Sequence, residues 1–112
     1  MNQGSESTTM YLRCRGDAMR FDWDKAKDTA NRRKHGVSFE EAQTAFFDEE
    51  AIVYDDPDHS GDEERFLLLG LSNALKVLVV VHCLRGGGDV IRLISARKAT
   101  RDERETYSGG AK

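Results

Sequence analysis

Val77-Leu78-Val79-Val80-Val81 places five apolar residues on consecutive positions. Side chains on a strand alternate between faces, so a strand made of such a run is apolar on both and needs a covering layer on each side. The spacing therefore predicts a central strand over Val77 to Leu84. Arg65 to Leu71 and Val90 to Ala96 are the flanking strand candidates, connected through Ser72-Asn73-Ala74 and Gly86-Gly87-Gly88-Asp89, both credible hairpin connections. The expected product is an antiparallel meander.

The covering layers are encoded on either side of it. Asp24 is a good N-cap for a helix over Lys25 to His35, and Gly36 is its stop, because glycine tolerates the left-handed backbone that ends helices. Arg32, Arg33 and Lys34 in the last turn complement the helix dipole, which is an ordinary capping role for cations. Ser38 and Glu41 have capping-box spacing, and Phe39, Ala42, Ala45 and Phe46 then form one apolar face, widened by Phe47, with Glu40, Glu41 and Gln43 outward. Phe21-Asp22-Trp23 and Ala51-Ile52-Val53-Tyr54 read as further short strands. The fold class expected is α+β: two N-terminal helices, an antiparallel sheet of three to four strands, and a short C-terminal helix.

A chain of 112 residues accommodates one domain. Met1 to Asp17 is polar and lacks periodicity, so residues 1–18 are expected to form a disordered extension, 19–107 the domain, and 108–112 a flexible tail. Met19 is an alternative start. No apolar run reaches the length of a membrane span and the N-terminus has no secretory h-region, so the expected location is the cytoplasm. Cys14 and Cys83 form neither a disulfide framework nor a metal-ligand spacing.

The net charge of −3 conceals segregation along the chain. Arg20 to His35 carries six bases against three acids; Gly36 to Glu64 carries eleven acids and no Lys or Arg; Arg65 to the end carries nine bases against four acids. A local basic surface is compatible with that sum. Asp55, Asp56, Asp58, His59 and Asp62 are all possible ligands for divalent ions, but their spacing fits no ordered calcium or zinc pattern, and a solvated acidic loop is the expectation.

Charge and rigid structure meet at Val90 to Thr100. An apolar strand runs without a linker into Arg97-Lys98, and Thr100 with Glu103 has capping-box spacing for the next helix. Arg101 and Arg104 lie three apart on that helix, on one face.

Specific residues carry a family resemblance. Phe21-Asp22-Trp23-Asp24, Lys34-His35-Gly36-Val37-Ser38-Phe39-Glu40-Glu41-Ala42, Arg65-Phe66, Ile94-Ser95-Ala96-Arg97-Lys98-Ala99-Thr100 and Glu103-Arg104 together resemble the BrnT toxins of type II toxin-antitoxin pairs. The resemblance covers nearly all of Arg20 to Tyr107. It implies a RelE-like ribonuclease that inhibits translation, works without metal or cofactor, and is neutralised by a BrnA-like antitoxin in a hetero-oligomer.

Metal-independent RNA cleavage needs a base for the 2′-hydroxyl, cations for the phosphoryl group and an acid for the leaving 5′-oxygen. Arginine suits the second task, because its planar fork meets phosphate oxygens in pairs and stays charged. Arg65 and Arg97 are the leading candidates, on the expectation that the sheet brings these strand ends together. Lys98 joins Arg97 only if the chain turns there, since neighbours on a strand face opposite ways. Lys34, Arg101 and Arg104 are candidates for contacting RNA, on or off the ribosome. His35 is preferred over His82 as the titrating group, because His82 shares a strand face with Leu78, Val80 and Leu84 and reads as a core residue. Tyr107 is a further candidate for stacking on a base, although C-terminal aromatics are more often packing residues, and Trp23 reads as core. The alternative is a noncatalytic module whose basic surface receives an acidic partner.

Overall fold

Asp24 ends a strand and begins a helix. Its carboxylate accepts from the Ala26 amide at 2.8 Å, and twelve residues after Asp24 Gly36, at φ 73°, closes the helix by donating to the Arg32 carbonyl. In this computed structural model, which describes residues 7–14, 17–56 and 64–109, the elements are β1 (Ser7–Cys14), β2 (Asp17–Asp24), α1 (Lys25–His35), α2 (Phe39–Thr44), β3 (Ile52–Asp55), β4 (Phe66–Leu71), β5 (Val77–Arg85), β6 (Val90–Lys98) and α3 (Arg101–Gly109). No described helix is long and apolar enough to cross a membrane.

The expected meander is present as β4-β5-β6, with β3 added at its side, and the α+β class holds. The sheet is larger than expected. Its order is β1-β2-β6-β5-β4-β3, six strands rather than three or four, and it is not wholly antiparallel, because β2 pairs parallel to β6. Residues 1–18 were expected to be disordered, but Ser7–Cys14 pair with Asp17–Asp24 over eight rungs. An edge strand of that kind draws on the backbone ladder of its neighbour, so it needs no apolar periodicity of its own. At the other end, Ser108 and Gly109 complete α3 rather than belonging to a tail; residues 110–112 lie outside the described residues.

The five-residue apolar run is covered on both faces, as its pattern requires. On one face, α2 and the 3-10 turn Ala45–Phe47 bury Phe21, Trp23, Leu68, Leu78, Val80, Ile91, Leu93 and Ala96. Trp23 meets Phe39 edge-on at 6.0 Å between ring centroids, and Phe21 meets Phe46 at 5.2 Å. Gly70 allows the 3-10 turn to lie against β4: a Cβ there would stand 2.9 Å from the Ala45 carbonyl oxygen. On the other face, Tyr107 of α3 and Ala99 cover Leu69, Val79 and neighbours. Two details of α2 differ from expectation. Gln43 is buried rather than outward, and the Glu41 carboxylate reaches across to the Ser72 hydroxyl at 2.7 Å while Ser38 caps the helix through the Glu41 amide.

The parallel pairing of β2 and β6 lasts only from Arg20–Asp22 against Val90–Arg92. Beyond Arg92 the chain of β2 departs into α1, and the edge of β6 needs another partner. Asn31 supplies it. Its amide nitrogen donates to the carbonyls of Ala96 and Val37, each at 2.8 Å, and its oxygen accepts from the Ala96 amide at 3.0 Å. α1 therefore occupies the seam beside β6, which explains why a helix with only one buried residue is held at all.

Candidate nucleic-acid interface

Strand pairing sorts the side chains into rows. On the face that carries α3, Ile52, Leu69, Val79 and Arg97 form one row across β3-β4-β5-β6, and Tyr54, Leu67, Val81 and Ser95 the next. Cys83, Arg92 and Asp22 form a third, and Arg85, Val90 and Arg20 a fourth. Among the described residues α3 covers the first row and part of the second. A β-bulge between Val81 and His82 decides who stands there. The extra residue in β6 places Arg92, Ser95 and Arg97 on this face while Leu93 and Ala96 are buried on the other.

Arg97 is gripped by its own chain. Its guanidinium donates to both oxygens of Glu103, at 2.8 and 2.9 Å, and also to the Lys98 carbonyl at 3.3 Å. Glu103 at the same time completes the capping box: its carboxylate accepts from the Thr100 amide at 2.8 Å and its amide donates to the Thr100 hydroxyl at 3.2 Å. The hydrogen bond from Arg97 is the largest influence on the Glu103 carboxyl and, against the cost of burial, brings it down to about 2. Glu103 reciprocally raises the Arg97 pKa, with Tyr54 adding to the effect from β3. A bidentate pair of this kind fixes the plane of the guanidinium and leaves other N–H groups for a ligand.

Beside Ser95 a cleft of about 240 Å³ opens between α1 and β6. Lys27, Lys34 and His35 line it from the helix, Ile94 and Ser95 from the strand. With Asn31 pointing at β6, Lys27 and Lys34 fall about 40° and 60° to one side of it around the helix, and His35 and Asp28 about 40° and 60° to the other, so His35 lines the cleft from its far side. Asp28 accepts from the Phe39 amide at 2.9 Å on the α2 side, so the two lysines belong to the side of Ser95 and Arg97.

The expected site is thus partly assembled. Lys34 and His35 share the cleft with Ser95, two residues along β6 from Arg97. Arg65 does not stand beside Arg97. Its carbonyl accepts from the Asp56 amide, extending the β3–β4 ladder by one residue, and the register sets it level with Cys83 and Arg92. At ordinary strand spacings its Cα is about 13 Å along and about 10 Å across the sheet from that of Arg97. Lys98 faces away, because β6 continues straight through it; its partner is Leu78, buried on the α2-covered face, and the chain turns only at Ala99.

The helix cations have local partners. Arg104 donates to the Ala99 carbonyl at 3.1 Å, and Arg101 stands 3.6 Å from Glu105 on the exposed surface. His82 is a core residue, edge-on to Phe46 and near Phe66, and burial holds its pKa below the ordinary 6.5. Tyr107 packs against the sheet, and its hydroxyl donates to Asp48 at 2.5 Å; burial first, then Asp48, push it up to about 12. Burial alone would raise the Asp48 carboxyl, but bonds from Tyr107 and the Leu71 and Glu50 amides outweigh it and keep it low.

Sequence reasoning missed Tyr54, Ser95 and Arg92 on this face, and missed the second task of Glu103. Arg92 stands 3.0 Å from Asp22. Among the described residues no three His, Cys, Asp or Glu side chains gather as a metal site; Asp58, His59 and Asp62 of the acidic loop lie outside the described residues.

Comparison with known proteins puts this geometry in a family. A family model described as the ribonuclease toxin BrnT of type II toxin-antitoxin systems matches residues 23–103, which include the α1–β6 cleft and both partners of the Arg97–Glu103 pair. Among solved structures, the 1.1 Å crystal structure of the Brucella abortus ribonuclease toxin BrnT is similar, with a TM-score of 0.54 and 25% identity, covering 70% of this chain and 94% of that one. No curated protein matches the chain by sequence. Since the family match spans well over half of its length, the chain belongs to the BrnT ribonuclease toxins of type II toxin-antitoxin systems.

Proposed function

We propose that this toxin cuts RNA on the sheet face bordered by α1 and α3, in a RelE-like manner and without a metal. The observation that carries the reading is the fixed guanidinium of Arg97 on the same side of β6 as the cleft lined by Lys34 and His35. His35 takes the proton of the 2′-hydroxyl, whose oxygen bonds to the adjacent phosphorus. Arg97 stabilises the added negative charge on the phosphoryl oxygens. The bond to the 5′-oxygen breaks, and that oxygen leaves with a proton from solvent. Lys34 holds the strand, and Arg65, in the row of Arg92, contacts a more distant part of it. Lys98, Arg101 and Arg104 have no part in the chemistry.

The partner under this reading is a BrnA-like antitoxin that covers the same cations, and the toxin acts in the cytoplasm, where messenger RNA is translated. The test uses purified protein and a single-stranded RNA in excess EDTA. Cleavage leaving a 2′,3′-cyclic phosphate is expected, lost in Arg97→Ala and reduced in Arg65→Ala, with growth arrest following the same order and relieved by coexpressed antitoxin. Cleavage by Arg97→Ala at the parent rate, or abolished by EDTA, overturns the reading.

A further inference from the structure

We propose that the cleft between α1 and β6 is a nucleobase pocket, seating one base of single-stranded RNA next to the phosphate that Arg97 contacts. The inference deepens the ribonuclease reading and rests on it for the choice of RNA. Three features of the cleft define its occupant. The first is size: about 240 Å³ falls below the roughly 300–1,000 Å³ of clefts that hold drug-sized ligands, and suits a single base with part of its sugar.

The second is charge. The lining includes Lys27 and Lys34 and no carboxylate, so it favours a group whose flanks are anionic, as a base between two phosphates is. The third is the division of polar and apolar surface. Ile94 and Ala30 offer apolar contact to a ring, while the Ser95 hydroxyl can both donate and accept toward a base edge. Asn31 is in the lining as well, but both its amide protons and its oxygen are committed to Val37 and Ala96, so it builds the wall and does not read the base. Reading falls to Ser95. Single-stranded RNA presents its bases in the manner such a pocket requires, unstacked and with free hydrogen-bonding edges.

Ser95 lies two residues before Arg97 on the same strand face, about 7 Å along β6. A base in the cleft is thereby held beside the reacting phosphate, which makes the pocket a determinant of where the strand is cut.

Two measurements on the full chain test the proposal. In the first, amide resonances are followed while the four homodinucleotides ApA, CpC, GpG and UpU are titrated in. Shifts centred on Ala30, Ile94 and Ser95 are expected, with at least about tenfold difference in affinity between the best and worst base, and Ala30→Leu, which fills the cleft from an exposed helix position, should remove them. Shifts centred elsewhere, or equal affinity for all four, overturn the proposal. In the second, cuts are mapped in a randomised RNA. A base preference at one position beside the cut is expected, and Ser95→Val should change the ratio of cuts among the four bases at that position. An unchanged ratio in Ser95→Val also overturns it. Base-selective binding in the cleft without cleavage of the pool sinks the ribonuclease mechanism alone, whereas cleavage without base-selective binding sinks only the pocket.

Discussion

Glu103 holds Arg97 and caps α3 with one carboxylate: Oε1 accepts from both the Arg97 guanidinium and the Thr100 amide, each at 2.8 Å, and Oε2 takes the second guanidinium nitrogen at 2.9 Å. The start of the last helix and the orientation of the leading RNA-contacting side chain are therefore set by the same group. Glu103→Gln separates them, since the amide can still cap but cannot present two acceptors to the guanidinium. The expected result is loss of RNA cleavage by more than about tenfold, with a stability loss of only about 1 kcal/mol because the pair is partly exposed. Cleavage rate and urea unfolding of one preparation measure both.

The same carboxyl predicts a pH dependence. It titrates near 2 in the folded chain against 4.5 ordinarily, so the unfolded chain binds its proton first as pH falls. The stabilisation it contributes is complete above about 4.5 and drains away as pH drops toward 2. Urea unfolding between pH 6 and 2 should show a steeper decline for the parent than for Glu103→Gln.

His82 acts in a higher window. Its folded pKa is below 6.5, because burial disfavours the imidazolium, so below that pH the unfolded chain takes up a proton that the folded one refuses. Stability is full above 6.5 and is lost as pH falls. His82→Phe, which keeps a ring against Phe46 and Phe66, should flatten that part of the profile. Thermal unfolding from pH 8 to 5, parent minus variant, isolates the effect.

Asn31 is a costly side chain to lose, because three buried backbone groups depend on it. Asn31→Leu leaves the Ala96 amide and the carbonyls of Ala96 and Val37 without their partner in a buried position, and a destabilisation of at least about 3 kcal/mol is expected. Asn31→Asp should fall between the parent and Leu, because it retains an acceptor for Ala96 but neither donation. Chemical denaturation ranks the three.

Leu75 offers the opposite sign. It is 79% exposed, in the β4–β5 connection, with φ 63°. A branched side chain in left-handed backbone costs about 1–2 kcal/mol, and Leu75→Gly should recover part of it, raising the melting temperature by a few degrees without changing RNA cleavage.

How far the chain was readable depends on the range of the interaction. The bounds of α1 follow from Asp24 and Gly36, and both capping hydroxyls, Ser38 and Thr100, act where their spacing puts them. These are contacts within a few residues. β1 was missed although Met10, Leu12 and Cys14 recur at strand spacing, because they sit within a Ser- and Thr-rich stretch, and the burial of Gln43 follows from packing that the helix face does not encode. The site was harder, since it depends on register. Counting in twos from buried Leu93 would send Ser95 and Arg97 into the α2-covered core; the extra residue at the Val81/His82 bulge reverses that parity and aligns them with Arg92 instead. Arg65 and Arg97 looked like neighbours only because strand ends were compared without knowing which rungs faced each other.

The short ladder between β2 and β6 has a consequence for association. A strand that loses its neighbour partway along exposes amides and carbonyls to any extended chain that can reach them, and proteins protect such places or aggregate through them. Here the gap is sealed from within by one asparagine and the helix that carries it. Strand-by-strand growth of this sheet is consequently confined to its two outer borders, β1 and β3. On the β3 border, Val53 and Tyr54 remain 55% and 40% exposed, so a partner that lengthens the sheet there would meet an apolar strand whose tyrosine also looks onto the cleavage face.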